Sequence, residues 1–206
     1  MEYKHIIFDL DGTLIDTEAA VLKTWQCTLQ EYHYEYTLEE LRIVLGISLQ
    51  KTLKQLKLVV DDQFEKRWME NYGRFAVTAD FFEGAKEMLM ELKKRGYSLG
   101  IVTSRSKDEY SAYFQKFHLE AVFDRIVLAD DTEQHKPDPA PLYKYMELEQ
   151  TEPSSCMYIG DMPTDIECAN RAGITSGLVT WNGSGILCGE AQFIVRSPEE
   201  LLQMLL

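Results

Sequence analysis

Apolar and polar positions follow two periods along this chain. Six short apolar runs read as strands: Ile6-Ile7-Phe8, residues 98–103 around Leu99-Gly100-Ile101-Val102, Ile126-Val127-Leu128, Met157-Tyr158-Ile159, Gly177-Leu178-Val179 and Phe193-Ile194-Val195. The first is apolar at successive positions. That pattern belongs to a strand covered on both faces, as in a parallel sheet. Between these runs the apolar residues recur at helical spacing. Met88, Leu89 and Leu92 mark a helix over 84–95 stopped by Gly96, and a helix over 164–172 is closed by Gly173. Ser106-Lys107-Asp108-Glu109 is a capping box that opens a helix carrying Tyr110, Tyr113, Phe114 and Phe117. Leu142 to Glu147 lies in a helix preceded by Pro137, Pro139 and Pro141, and Ser197-Pro198-Glu199-Glu200 starts the last one.

Between the first and second strands the strand signal vanishes. Residues 16–81 read as about four helices. One carries Ala20, Trp25, Leu29 and Tyr32 near helical spacing, with Val21 and Leu22 between them. A second opens at the capping box Thr37-Leu38-Glu39-Glu40, turns Leu38, Leu41, Val44 and Leu45 inward, and ends at Gly46. A third starts at Ser48 with Leu49, Leu53 and Leu56. A fourth, capped by Asp61, aligns Phe64, Trp68, Tyr72 and Phe75. Elsewhere strands alternate with helices, which implies right-handed βαβ units. The expected fold is therefore α/β: a Rossmann-like parallel sheet flanked by helices (1–15 and 82–206), with an inserted all-helical domain (16–81).

Open sheets of this kind bind ligands beyond the carboxyl ends of their strands, so the polar residues at those ends are the candidate chemistry. The first strand runs into Asp9-Leu10-Asp11-Gly12-Thr13. Alone, the Asp-Gly pair reads as a hairpin turn. Read as a continuing strand, it points Asp9 and Asp11 the same way, and two carboxylates so close call for a divalent cation or a shared proton. Oxygen-only ligands favour Mg²⁺ over Zn²⁺. The second strand ends at Thr103-Ser104-Arg105. The third is followed by Asp130, Asp131 and then His135-Lys136-Pro137-Asp138-Pro139. The fourth ends at Gly160-Asp161, with Asp165 four residues on. Carboxylates, a hydroxyl and a lysine at one rim suit phosphoryl transfer: a carboxylate nucleophile, neutralisation of phosphoryl charge, and an acid/base.

Composition narrows the partners. Thirty-four acidic against 21 basic residues give a net charge of −13, which disfavours nucleic acid. Four widely spaced cysteines, Cys27, Cys156, Cys168 and Cys188, read as reduced thiols. With no apolar signal segment and no stretch long enough to span a bilayer, a cytoplasmic location is expected.

The ordered set resembles the haloacid dehalogenase superfamily of phosphohydrolases over the whole chain. Asp9-Leu10-Asp11-Gly12-Thr13 is similar to the first family motif, Thr103 after an apolar strand to the second, Lys136 before Pro137 to the third, and Gly160-Asp161-x-x-x-Asp165 to the fourth. The resemblance implies Asp9 as nucleophile and Mg²⁺ ligand, and Asp11 as acid/base with its carbonyl on the metal. Thr103 and Lys136 would hold the phosphoryl group, with Gly12 and Ser104 also lining the substrate position. Asp161 would bind Mg²⁺ directly, and Asp165 through water or Lys136. The helical insert corresponds to the family's type-one cap.

Within the family, Leu45-Gly46-Ile47-Ser48-Leu49, Leu128-Ala129-Asp130-Asp131 and Gly177-Leu178-Val179-Thr180-Trp181 resemble the pyrophosphatase and phosphoglycolate phosphatase branch. The β-phosphoglucomutase branch carries an arginine where this chain has Leu49. The expected activity is thus Mg²⁺-dependent hydrolysis of a small phosphorylated metabolite or pyrophosphate. A phosphomutase and a non-catalytic regulatory member are the alternatives. Lys51, His135, Asp130 and Asp131 read as solvated groups, Trp181 as packing, and Arg105 either as a substrate contact or as a surface residue at a helix start.

Overall fold

The structure, a computed structural model, describes residues 3–45 and 49–205. Six strands form one sheet: β1 (His5–Phe8), β2 (Ser98–Val102), β3 (Arg125–Val127), β4 (Cys156–Gly160), β5 (Thr175–Val179) and β6 (Phe193–Val195). All pairings are parallel, and the spatial order is β3-β2-β1-β4-β5-β6. Phe8 sits in register with Ile101 on one side and Ile159 on the other. The central strand is sealed on both faces, with Ile6, Ile7 and Phe8 all 0% exposed, as its unbroken apolar run requires.

Alternation along β1 divides the core into two layers. Ile7 joins Val102, Val127 and Tyr158 beneath Leu142, Tyr145 and Met146 of helix 140–149 and Cys168, Ala169 and Ala172 of helix 163–172. Ile6 and Phe8 point the other way, Phe8 edge-on to Phe123. Outside the first layer, helices 85–94 and 198–204 pack on each other and against β2 and β6. The capping box expected at Ser106 and the helix start expected at Ser197 both take the serine-to-backbone hydrogen bond. Ser106 Oγ accepts from the Glu109 N–H at 3.2 Å, and Ser197 Oγ from that of Glu200 at 3.1 Å.

The chain separates into two compact units, residues 1–16 with 81–206 and residues 17–80. In the second unit, helix 18–31 packs on helix 64–75. Trp25 lies against Phe64, and Trp68 stacks on Tyr72 with ring centroids 5.2 Å apart. The Thr37–Glu40 capping box forms, but it opens a five-residue 3-10 helix (40–44) rather than an α-helix. Only one tight turn follows the cap, so Leu41 and Val44 are buried while Leu38 lies outside, 38% exposed, and Leu45 is half-buried. The expectation that Leu38 turns inward is corrected accordingly. The helix boundaries expected at Gly46 and Ser48 lie outside the described residues; the next helix spans 49–55 and buries Thr52.

Candidate active site

The strand order reverses at β1, where β2 lies on one side and β4 on the other. A crevice at the carboxyl edge is expected at such a switch. Asp9 follows β1 directly, and its N–H still donates to the Ile159 carbonyl at 2.8 Å. The chain then turns. The Gly12 N–H bonds to the Ile15 carbonyl at 2.9 Å, and those of Leu14 and Ile15 to Leu10, each at 3.0 Å. Gly12 has φ +74°, and a Cβ there would lie 2.4 Å from Asp161 Oδ2. Turn and close approach both demand glycine.

Three carboxylates meet at this edge. Asp9, Asp161 and Asp165 offer ligand oxygens that all lie within 4.8 Å of one another, and the three residues are only 5%, 7% and 1% exposed. Gly160 makes room for the third, since a Cβ on it would lie 2.4 Å from the Asp165 carboxyl carbon. Asp165 Oδ2 accepts from the Met162 N–H at 3.0 Å, fixing the first turn of helix 163–172.

Lys136 reaches into this group from the segment between β3 and helix 140–149. Its Nζ donates to Asp9 Oδ1 at 2.6 Å, Asp165 Oδ1 at 2.7 Å and the Tyr158 hydroxyl at 3.1 Å. The Tyr158 hydroxyl in turn donates to the Val102 carbonyl at 2.8 Å. All three ammonium hydrogens therefore have acceptors.

The electrostatics follow from burial. Loss of water pushes the Asp9 carboxyl up to about 7, against the pull of Lys136 and with a further push from Asp165. Burial, with Asp165 and Asp9, holds Asp161 well above the carboxylate range. Burial works against the Lys136 charge, but Asp165 and Asp9 outweigh it and raise its pKa. Ionised together, the three carboxylates exceed the one ammonium by two negative charges, the amount a divalent cation supplies, and without it burial favours their protonated forms. The donor set is oxygen only, which fits a hard dication.

Asp11 lies outside that cluster. β1 ends at Phe8, before it, and the Asp11 charge still adds to the push on the Asp9 carboxyl. Its carboxylate is forked by Arg105, with Nε to Oδ2 at 3.0 Å and Nη2 to Oδ1 at 2.8 Å. Arg105 also donates to Glu109 Oε1 at 2.9 Å and lies over the Phe114 ring. Thr103 is buried, and its Oγ1 accepts from the Arg105 N–H at 3.2 Å. Ser104 is exposed.

Asp130 accepts from the Lys107 N–H at the start of helix 107–113, Asp131 accepts from the Leu128 N–H in its own loop, and His135 is exposed. All four cysteines are free thiols. No described helix is long and apolar enough to cross a membrane.

Three contributors escaped the sequence reading. Tyr158 is a hydroxyl in an otherwise apolar strand. Arg105 grips Asp11, which neither a substrate contact nor a surface position at a helix start implies. Asn182 donates to Asp161 Oδ2 and to the Gly12 carbonyl, both at 3.0 Å. Carrying the strand-end search to β5 and its Thr180-Trp181-Asn182 sequence would have found the last.

Comparisons with known proteins give the chain a family. The family described as haloacid dehalogenase-like hydrolase matches residues 6–179. A curated protein named pyrophosphatase PpaX, from Bacillus cereus, is 31% identical over all of this chain and 97% of its own length. A solved Lactobacillus plantarum protein described as a candidate phosphoglycolate phosphatase superposes with a TM-score of 0.89, covering 99% of this chain and all of that one, at 22% identity. A solved Thermotoga maritima protein described as a candidate β-phosphoglucomutase gives 0.79 at 27% identity, covering all of this chain and 98% of its own. This chain belongs to the haloacid dehalogenase-like hydrolase family.

Proposed function

We propose that the chain is a Mg²⁺-dependent phosphohydrolase acting on a small phosphorylated metabolite or pyrophosphate through an aspartyl-phosphate on Asp9. The observation that carries this reading is the buried group of Asp9, Asp161 and Asp165 around Lys136, with Nζ 2.6 Å from Asp9. The 31%-identical pyrophosphatase, matched over the full chain, favours pyrophosphate as the first substrate to try.

Asp9, Asp161 and Asp165 would hold the Mg²⁺, which supplies charge neutralisation for the transferring phosphoryl group. Lys136 fixes one oxygen of Asp9. The other attacks phosphorus, forming the Asp9–phosphorus bond as the bond to the leaving group breaks. Asp11 gives that leaving group a proton and then takes one from the water that hydrolyses the acyl phosphate. Thr103 and Lys136 contact the phosphoryl oxygens, with Gly12 and Ser104 lining the same position. The helical unit 17–80 is the cap domain and governs substrate choice.

A phosphomutase is the second reading, favoured by the likeness to the Thermotoga protein. It would use the same intermediate and return the phosphoryl group to a sugar. Leu49, in place of a sugar-phosphate-binding arginine, weighs against it.

The test is phosphate release from pyrophosphate, phosphoglycolate, sugar phosphates and nucleotides at saturating Mg²⁺, with Asp9→Asn in parallel. One substrate preferred by about a hundredfold in kcat/KM, roughly 2.7 kcal/mol of discrimination, with no turnover by a folded Asp9→Asn, is the expected result. Undiminished turnover by that variant would defeat the nucleophile assignment. Conversion of a sugar phosphate to its isomer without phosphate release would establish the mutase.

A further inference from the structure

The loop after β5 is stitched to the first-strand turn by neutral donors. Trp181 Nε1 donates to the Thr13 carbonyl at 2.9 Å. Next to it, Asn182 Oδ1 accepts from the Ser184 N–H at 3.0 Å, which fixes which end of the amide faces the carboxylate edge. Its Nδ2 then places one hydrogen on the Gly12 carbonyl and the other on Asp161 Oδ2. The remaining oxygen of Asp161 accepts from Thr13 Oγ1 at 3.3 Å.

Asp161 is buried beside two other carboxylates and needs partners that orient it without changing the local charge. An amide and a hydroxyl are such partners; an ammonium would compete with a cation for the same oxygens. Groups of this kind around a metal ligand set its orientation, and removing one costs about 10–100-fold in metal affinity.

We propose that Asn182 is a positioning residue that holds the Asp161 carboxylate against the Gly12 carbonyl in the arrangement that binds a divalent cation. The inference rests on the metal reading given above. Asn182 acts through Asp161 and touches neither substrate nor reacting atoms.

Calorimetric titration of MgCl₂ into the full-length, EDTA-treated protein tests it, alongside thermal melts without Mg²⁺. Asn182→Ala should raise the Mg²⁺ Kd about tenfold or more while leaving the metal-free melt unchanged. Trp181→Phe removes a donor from the same loop but not from Asp161, and should leave the Kd near that of the parent. If Asn182→Ala fails to fold, Asn182→Leu fills the same volume without the donors and gives the same readout. An unchanged Kd in the Asn182 variant, or equal weakening by Trp181→Phe, overturns the assignment. A parent protein that binds no Mg²⁺ overturns the metal reading itself, and the two failures are distinguishable in one experiment.

Discussion

At the scale of single residues, the site is governed by how few positive charges it contains. The Lys136 and Asp9 side chains are 7% and 8% exposed, and that of Asp165 only 2%. Replacing Lys136 by methionine keeps the volume and leaves the carboxylates buried without their counter-charge. Removing one partner of a buried pair costs about 3–5 kcal/mol. Lys136→Met is expected to lose about that much in urea unfolding without metal, and an unchanged midpoint would show the group relaxing into water. Arg105 makes a different kind of grip. Two N–H groups in one plane meet the two oxygens of Asp11, and a third meets Glu109. Lysine is a point charge and cannot reproduce that fork. Arg105→Lys should lower kcat about tenfold with KM little changed if Asp11 is the acid/base, and full kcat would separate Arg105 from its action. What the sequence discloses at this scale is unequal. Asp9, Lys136 and Asp161 follow strands, where topology says to look. The contacts of Arg105, Tyr158 and Asn182 depend on side-chain reach across strands or to a separate loop, and no local pattern encodes that.

Among the elements, the layer under helices 140–149 and 163–172 offers an independent check on packing. Cys156 on β4 and Cys168 in helix 163–172 both belong to it. Burial pushes their thiols up to about 11 and about 12. Native protein should therefore show two thiols reacting with a disulfide reagent at neutral pH, the half-buried Cys27 and Cys188, and four once unfolded; early reaction of all four would mean the layer opens readily. The raised Cys168 pKa also has a sign for stability. The folded state holds this proton more tightly than the unfolded chain, so the contribution is complete below pH 9 and is lost as pH rises from about 9 towards about 12. The six strands were legible because each is a short apolar run between turn signals, and Phe193–Val195 was located to the residue. The segment 37–45 was not. Its capping box and leucine spacing are those of an α-helix, yet a single 3-10 turn satisfies the cap and buries Leu41 and Val44, leaving Leu38 in solvent. Periodicity over eight residues cannot fix the length of a helix, and short pieces favour the tighter turn.

For the whole molecule, the net charge of −13 sets a condition on catalysis that the site alone does not reveal. The proposed substrate is anionic even when complexed with Mg²⁺, and it approaches through the repulsive field of 34 acidic residues against 21 basic ones. The attraction that holds it acts over a few ångströms from Lys136 and a bound cation. The repulsion acts over the width of the protein. Salt distinguishes the two, because the Debye length shrinks from about 30 Å at ~0.01 M to about 8 Å at ~0.15 M. Screening removes the long-range term and spares short contacts within a buried site. Raising KCl across that range at saturating Mg²⁺ should therefore increase kcat/KM for pyrophosphate severalfold, with kcat nearly constant, since encounter and not chemistry is being changed. An enzyme that draws its substrate in through a basic surface would show the opposite slope. A fall in kcat/KM with salt would mean that the basic residues here are gathered on the approach side strongly enough to reverse the global field.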